Sequence, residues 1–460
     1  MKLKKIIIRS LLTLLIVALG YLIYYCWLSF PILNGYGAKI MCSAVFVAGR
    51  DEKQVRDQDL SSYMMRLADF KVNYADSSVT GTILGLAKRK AIYRRGLGAT
   101  LVSELDEKEI RAQPIIQAEK PVLKTDSISW PLGDKVVCTF PKDLDSVKLQ
   151  AAVNHVFEEK DTILPIRTRA VVILYKGQLI AERYADGFSA RTKLAGWSMT
   201  KTVTSALIGI LVKQGKISLE APAPVKEWQN VNDPRHAITM VDLLHQRSGL
   251  EFEENYAKSC DATQMLFEKA DMGGFTASHP LQDKPGKVFY YSSGNTNIVS
   301  RIIRQIVGDS LYYRFPSEQL FYKLGMYSAV MEPDPSGTFV GSSYMYATAR
   351  DWARFGLLYL NDGLFNNERI LPVGWVTEST KPAGQDKRGY GYQIWLNAGV
   401  DSSVRRYPAA PPDMFYADGF ESQLIFVIPS KNLVIVRLGL TQHNNFDAND
   451  FLQEVLASIK

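Results

Sequence analysis

Ser198 and Lys201 stand three residues apart in the run GWSMTKTVTSALIGILVKQGK, the single Ser-x-x-Lys in 460 residues. A serine hydroxyl attacks poorly until a neighbouring base takes its proton, and a lysine three positions on lies one helical turn away on the same face. Burial in the apolar run and the positive end of the helix dipole both disfavour an ammonium, which suits Lys201 to accept the Ser198 proton. A capped amphipathic helix with a surface lysine gives the same pattern, so other residues must decide.

Two further stretches carry complementary chemistry. In KPGKVFYYSSGNTNIVSRIIRQIVG the pattern predicts a turn, a short strand and then a helix whose N-terminus bears Tyr291, Ser292 and Ser293. Tyr291 could share a proton with Lys201 and pass it to a leaving group, and Ser293 could offer its hydroxyl to a substrate carbonyl or amide. Near the C-terminus, FYADGFESQLIFVIPSKNLVIVRLG predicts a hairpin turning at Pro429-Ser430-Lys431-Asn432. Gly419 precedes its first strand, where a missing side chain would let a substrate approach the backbone. An amide N–H at that edge, with the N–H of Ser198, would make an oxyanion hole.

In this order the three stretches resemble the motifs of the class C β-lactamase and penicillin-binding-protein superfamily, whose serine hydrolases carry S-x-x-K, Y-x-N and K-T-G. GKISLEAPAP, ITMVDLLHQRSGLEF, LFYKLGM and SYMYATARDWARFGLLYL are similar to further family stretches, and the likeness spans residues 146–460. It implies an α+β fold of the β-lactamase/D,D-peptidase type: an antiparallel sheet flanked by helices, a mostly helical subdomain, and the active site between them. It also implies Ser198 as nucleophile and Lys201 and Tyr291 as proton carriers. Aligned on the glycine, K-T-G becomes Ala417-Asp418-Gly419, and the second motif ends in Ser293 in place of asparagine. A methyl group and an acid thus replace the cation and hydroxyl that hold a β-lactam carboxylate. In this the chain is more similar to the 6-aminohexanoate-dimer hydrolases and family esterases, whose G-x-x-G-Q strand GFESQ resembles. That alignment makes the Phe420 N–H the second oxyanion donor, a register one residue away being the alternative.

The resemblance implies a small-molecule amide or ester as substrate. The alternatives are a β-lactamase or D,D-peptidase acting on cell-wall peptides, or a binding protein that keeps the fold without catalysis. Other chemistries have little support. His155, His236, His245, His279 and His443 make no helical ligand pair and no zinc pattern with cysteine. No G-x-S-x-G elbow surrounds any serine, so His245 reads as a packed or capping residue rather than a triad base. No glycine loop for phosphate and no basic stripe with aromatics is present, so neither a cofactor nor nucleic acid is expected. The sequence leaves the oligomeric state open.

Elements that must position these residues follow the same reading. KLQAAVNHVFEE predicts an amphipathic helix, VVILYKGQLIAERY a hairpin turning at Lys176-Gly177, and FLQEVLASIK a closing helix. Ahead of them, Lys2, Lys4, Lys5 and Arg9 precede an uncharged apolar stretch from Leu11 to Leu28, near the lower limit for crossing a bilayer. Its exit, GYLIYYCWLSFP, has bulky aromatics where a cleavage site needs small residues, so an uncleaved anchor is expected over a signal peptide. The basic flank then leaves the rest of the chain outside the cytoplasm of a bacterial-type cell membrane. This divides the chain into a basic tail (1–10), an anchor (11–28), an accessory region (29–145) and the hydrolase domain (146–460). Cys42 and Cys138 both fall in strand-like runs, MCSAVFVAG and KVVCTFP, where a disulfide between them and two separate buried thiols fit equally. The net charge of +7 owes four units to the first nine residues, so the exterior part is mildly basic and calls for no acidic partner.

Overall fold

The computed structural model of the chain describes residues 2–136, 140–161, 163–384, 389–442 and 445–460. Its centre is a six-stranded antiparallel sheet built from both ends of the hydrolase region. The strands are β5 (Thr168–Tyr175), β6 (Gln178–Tyr184), β7 (Trp395–Leu396), β8 (Phe415–Gly419), β9 (Gln423–Ile428) and β10 (Leu433–Gly439), in spatial order β7-β8-β9-β10-β5-β6. The β5–β6 hairpin turns at Lys176 and Gly177, both with positive φ. The C-terminal stretch holds three strands where the sequence pattern suggested two: Gly419 ends β8 rather than preceding a strand, and residues 420–422 make the tight return into β9.

Strand alternation divides the sheet's side chains between two cores. Val171, Ile173, Phe426 and Ile435 face α2 (Ser146–His155) and α6 (Ala448–Ala457), the helices that close the domain from either end. Val172, Leu174, Ile425, Val434 and Val436 face α3 (Met199–Lys213) and α5 (Ala349–Leu360) of the helical subdomain, with α4 (Ser293–Val307) packed on α3 in the same core. This is the α+β arrangement that the motifs implied.

The N-terminal region departs from expectation. One helix, α1, runs without a break from Lys2 to Cys42 and widens into a π turn over Ser43–Val47, so most of MCSAVFVAG is helical where a strand was expected. Residues 3–25 are exposed, and residues from Ile32 onward are mostly buried. The buried half lies across a four-stranded antiparallel sheet of β1 (Ala68–Asn73), β2 (Ser78–Ile83), β3 (Leu86–Arg94) and β4 (Gly98–Val102). Small residues permit this approach: a Cβ on Gly37 would run into the Phe70 ring, and one on Gly35 would press on Leu101 and Phe267. The limit at residue 28 therefore falls inside one helix, and the 29–145 region begins with the second half of that helix. Cys42 is a buried free thiol, and burial holds it far up the pKa scale; Cys138 and His443 lie outside the described residues.

Candidate active site

The helix α3 starts at Met199 with Ser198 as the residue before its first turn, and its apolar face is buried along most of its length. Trp197 is held at φ 48, a left-handed conformation that costs a bulky side chain about 1–2 kcal/mol and turns Ser198 toward the cleft. That strained residue is packed from three sides. Its indole stacks on Tyr36 of α1 (6.4 Å, 12°) and meets Tyr344 (6.3 Å) and Phe420 (5.6 Å) edge-on.

Lys201, one turn on, is 1% exposed. Its Nζ lies 3.0 Å from Ser198 Oγ, 3.0 Å from Ser293 Oγ and 3.0 Å from the Ser342 carbonyl oxygen. Burial pulls its pKa down to about 8, against a smaller opposing pull from Glu254. About a tenth of the amine is therefore neutral at pH 7 and half near pH 8, with a hydroxyl in hydrogen-bond reach. The Tyr291 ring lies 4.9 Å from Lys201 Nζ, and its hydroxyl bonds with Ser198. Burial raises the Tyr291 phenol well above its ordinary value, helped by Tyr390 and Glu254. It stays protonated, so it can hand on a proton but does not serve as a phenolate base. Trp395 stacks on it (5.5 Å, 21°) and Tyr390 meets it edge-on (6.0 Å), which fixes the ring against the cleft wall.

Ser198, Tyr291, Gly419, Phe420 and Asp418 line one open cleft of about 640 Å³, together with Tyr256, Arg406, Glu421 and the 445–449 segment. Among the described residues neither the Ser198 nor the Phe420 amide N–H has a hydrogen-bond partner. Two amide donors without partners, on residues lining one cleft beside the Ser198 hydroxyl, are what an oxyanion needs. Gly419 acts differently from expectation. A Cβ there would strike the Gly196 carbonyl oxygen, so glycine is required for β8 to close against the backbone leading into Ser198, rather than to admit substrate.

Two expected roles change. Ser293 is fully buried as the first residue of α4, with no strand before it, and its hydroxyl donates to Glu254 Oε1 at 2.6 Å while its N–H donates to Glu254 Oε2 at 2.7 Å. It is engaged behind Lys201 and does not reach into the cleft. Ala417 points into the helical-side core, so of the two side chains that replace the lysine and threonine of K-T-G it is that of Asp418 that lines the cleft. Burial lifts the Asp418 carboxyl to about 7, with Arg406 opposing.

Glu254 and Tyr256 join the site without having been signalled by the sequence. The Tyr256 hydroxyl donates to Glu254 Oε1 (2.8 Å) and lies 3.1 Å from Ser293 Oγ, and its ring stands at the cleft. Both follow the SGLEF stretch in an irregular segment, where no periodicity or motif marks them. His245 lies apart from the cleft, buried edge-on against Tyr392 (4.7 Å), and burial pulls its pKa down to about 4.

A buried lysine on a serine, inside an antiparallel sheet and helical subdomain of this topology, defines a serine hydrolase of the S-x-x-K type. Residues 153–457 match the family model described as Beta-lactamase, and the chain belongs to that family. It is 21% identical over 323 residues to a 6-aminohexanoate-dimer hydrolase of Paenarthrobacter ureafaciens, covering 61% of this chain and 82% of that one. Among solved structures it is similar to a candidate 6-aminohexanoate-dimer hydrolase from Bacillus anthracis (TM-score 0.54, 22% identity, 71% of this chain and 86% of that one). It is similar also to a family VIII carboxylesterase (TM-score 0.55, 14% identity, 71% and 99%).

The pH dependence follows from Lys201. If its neutral form takes the serine proton, acylation should rise with pH and level off above about 8, falling about tenfold per pH unit below that. Glu254 raises the lysine pKa, so Glu254→Gln should move the rising limb toward lower pH. A kcat/KM profile that is flat from pH 6 to 9 would show that Lys201 is not the titrating base.

Proposed function

We propose that this hydrolase opens a linear amide or ester through an acyl-enzyme on Ser198, from a domain held outside the cytoplasm by α1. Lys201 takes the Ser198 proton, Tyr291 relays it to the leaving group, and the N–H groups of Ser198 and Phe420 hold the oxyanion. The observation that carries the reading is the 3.0 Å approach of a buried Lys201 to the Ser198 hydroxyl. The likeness to a 6-aminohexanoate-dimer hydrolase supports amide or ester chemistry. The candidate span supports the location: α1 is long and apolar enough to cross a membrane, with Lys4, Lys5 and Arg9 at its start.

Substrate charge separates this from a β-lactamase or D,D-peptidase reading. Arg406 is the cation among the described lining residues, and it is opposed by Asp418 in the same cleft. An anionic β-lactam would meet a partly ionised Asp418, with Asp447 also on the walls. Short acyl esters and linear amide dimers should therefore turn over faster than nitrocefin, and Asp418→Asn should narrow the gap by removing the repulsion. Wild-type protein that hydrolyses nitrocefin much faster than the esters would favour the β-lactamase reading, for which Arg406 would be the carboxylate ligand.

A further inference from the structure

The helix α1 and the strand β3 run side by side in the same direction. Asn34 donates from Nδ2 to the carbonyl oxygens of Leu86 (3.1 Å) and Ala87 (2.8 Å), and further along Phe46 stacks on Tyr93 (5.7 Å, 22°). The twelve steps of helix from 34 to 46 rise about 18 Å. The strand from 87 to 93 extends about 20 Å. The turn joining β2 to β3 therefore lies at the end of the accessory sheet nearest the apolar half of α1.

That turn exposes apolar side chains on a strained backbone. Leu84 is 73% exposed and Leu86 60% exposed. Leu84 also sits at φ 52, where a leucine costs about 1–2 kcal/mol that glycine or asparagine would largely avoid. Neither side chain returns that cost by burial within the domain. Lys88 is exposed two residues further on, beside Arg89 and Lys90, which pair with Glu268 and with Asp76 and Glu107. On α1, cover by the domain begins at Cys26, while Trp27 is still exposed, close to the end of the 11–28 stretch. From Asn34 back to Leu28 is about 9 Å of helix. From Ala87 back, Leu86 and the two-residue turn of Leu84 and Gly85 project less than about 10 Å, because the chain reverses there with Leu84, Gly85 and Ala87 all at positive φ. The turn tip thus lies within about one helical turn of the end of the apolar stretch.

We propose that the β2–β3 turn is a second membrane contact, in which Leu84 and Leu86 enter the acyl boundary beside α1 and Lys88 meets anionic headgroups. The proposal rests on the membrane reading of α1. Two points of attachment stop the domain from swinging about a single helix. They hold the cleft at a set height, because Tyr36, stacked beside the nucleophile on Trp197, is eight helical residues or about 12 Å beyond Leu28.

The test places an environment-sensitive fluorescent amino acid, one position at a time, at 17 in the span, at 84 in the turn and at 373, an exposed residue elsewhere. The full chain is reconstituted in phosphatidylglycerol vesicles containing doxyl lipids, and fluorophosphonate labelling of Ser198 confirms that each form is folded. Position 84 should be quenched at least about twofold more than position 373, most strongly by a shallow doxyl group, with position 17 quenched by a deep one. Lys88→Glu should weaken quenching at 84. Quenching at 17 with none at 84 overturns the proposal and leaves the span standing. No quenching at 17 overturns the membrane reading and the proposal together. Quenching at 84 that Lys88→Glu leaves unchanged overturns the headgroup contact.

Discussion

Ser198→Ala should lose all labelling by a fluorophosphonate and lower kcat for a reactive ester on the order of 10⁴-fold or more, with the chain still folded. The hydroxyl removed is the group whose proton Lys201 is placed to take, 3.0 Å away. Lys201→Ala should cost nearly as much, because among the described residues the serine has no other base in contact: Tyr291 stays protonated and His245 is elsewhere. The double variant should be no worse than either single one, since nucleophile and base act as a unit. Folding is checked by circular dichroism and thermal midpoint, because Lys201 also ties α3 to Ser293 and to the Ser342 carbonyl. A Ser198→Ala chain that still forms the covalent adduct would place the nucleophile on another residue and undo the mechanism.

The reach of the sequence into this site depended on how local each contact is. Ser198 and Lys201 are one helical turn apart, so their spacing alone put base beside nucleophile. Tyr291 was placed by its position before a well-marked amphipathic helix, where Ser292 caps α4 through Asn295. Ser293 was given a role in substrate contact because its hydroxyl was visible and Glu254 was not. A carboxylate 39 residues away in an irregular segment leaves no periodic trace, yet it decides where that hydroxyl points. Gly419 shows the same limit: the sequence marked a position that tolerates no side chain, but only the fold shows that the obstacle is Gly196.

The sheet and its flanking helices were readable because alternating strands and 3.6-residue periods register directly in apolar spacing. The second half of α1 was not. Its glycines and β-branched residues lower helix propensity, and what overrides that is tertiary: the absent side chains let the helix lie on Phe70 and Leu101. A stretch chosen for close packing against a sheet thus looks like strand and turn when read alone.

The join between α1 and the hydrolase domain carries the other large expected effect. Glu332 is fully buried and forms an ion pair with Lys39 of α1. The same carboxylate accepts from Ser43 Oγ (2.9 and 3.1 Å) and from the Ala99 N–H (2.7 Å), and the Lys39 ammonium also faces the Tyr344 ring at 4.1 Å. Glu332→Ala leaves a buried ammonium and a buried N–H without their partner, a loss of about 3–5 kcal/mol in pairs of this kind. The thermal midpoint in detergent should fall by several degrees. Because Tyr36 on the same helix props Trp197, ester turnover should fall as well, even though Glu332 does not reach the cleft. Lys39→Met with Glu332→Leu removes both charges and should recover much of the lost stability, since an apolar pair costs less to bury than a lone ion. If Glu332→Ala matched the wild type in midpoint and turnover, α1 would be a tether and nothing more, and the packing of Tyr36 on Trp197 would not be what holds the nucleophile's backbone.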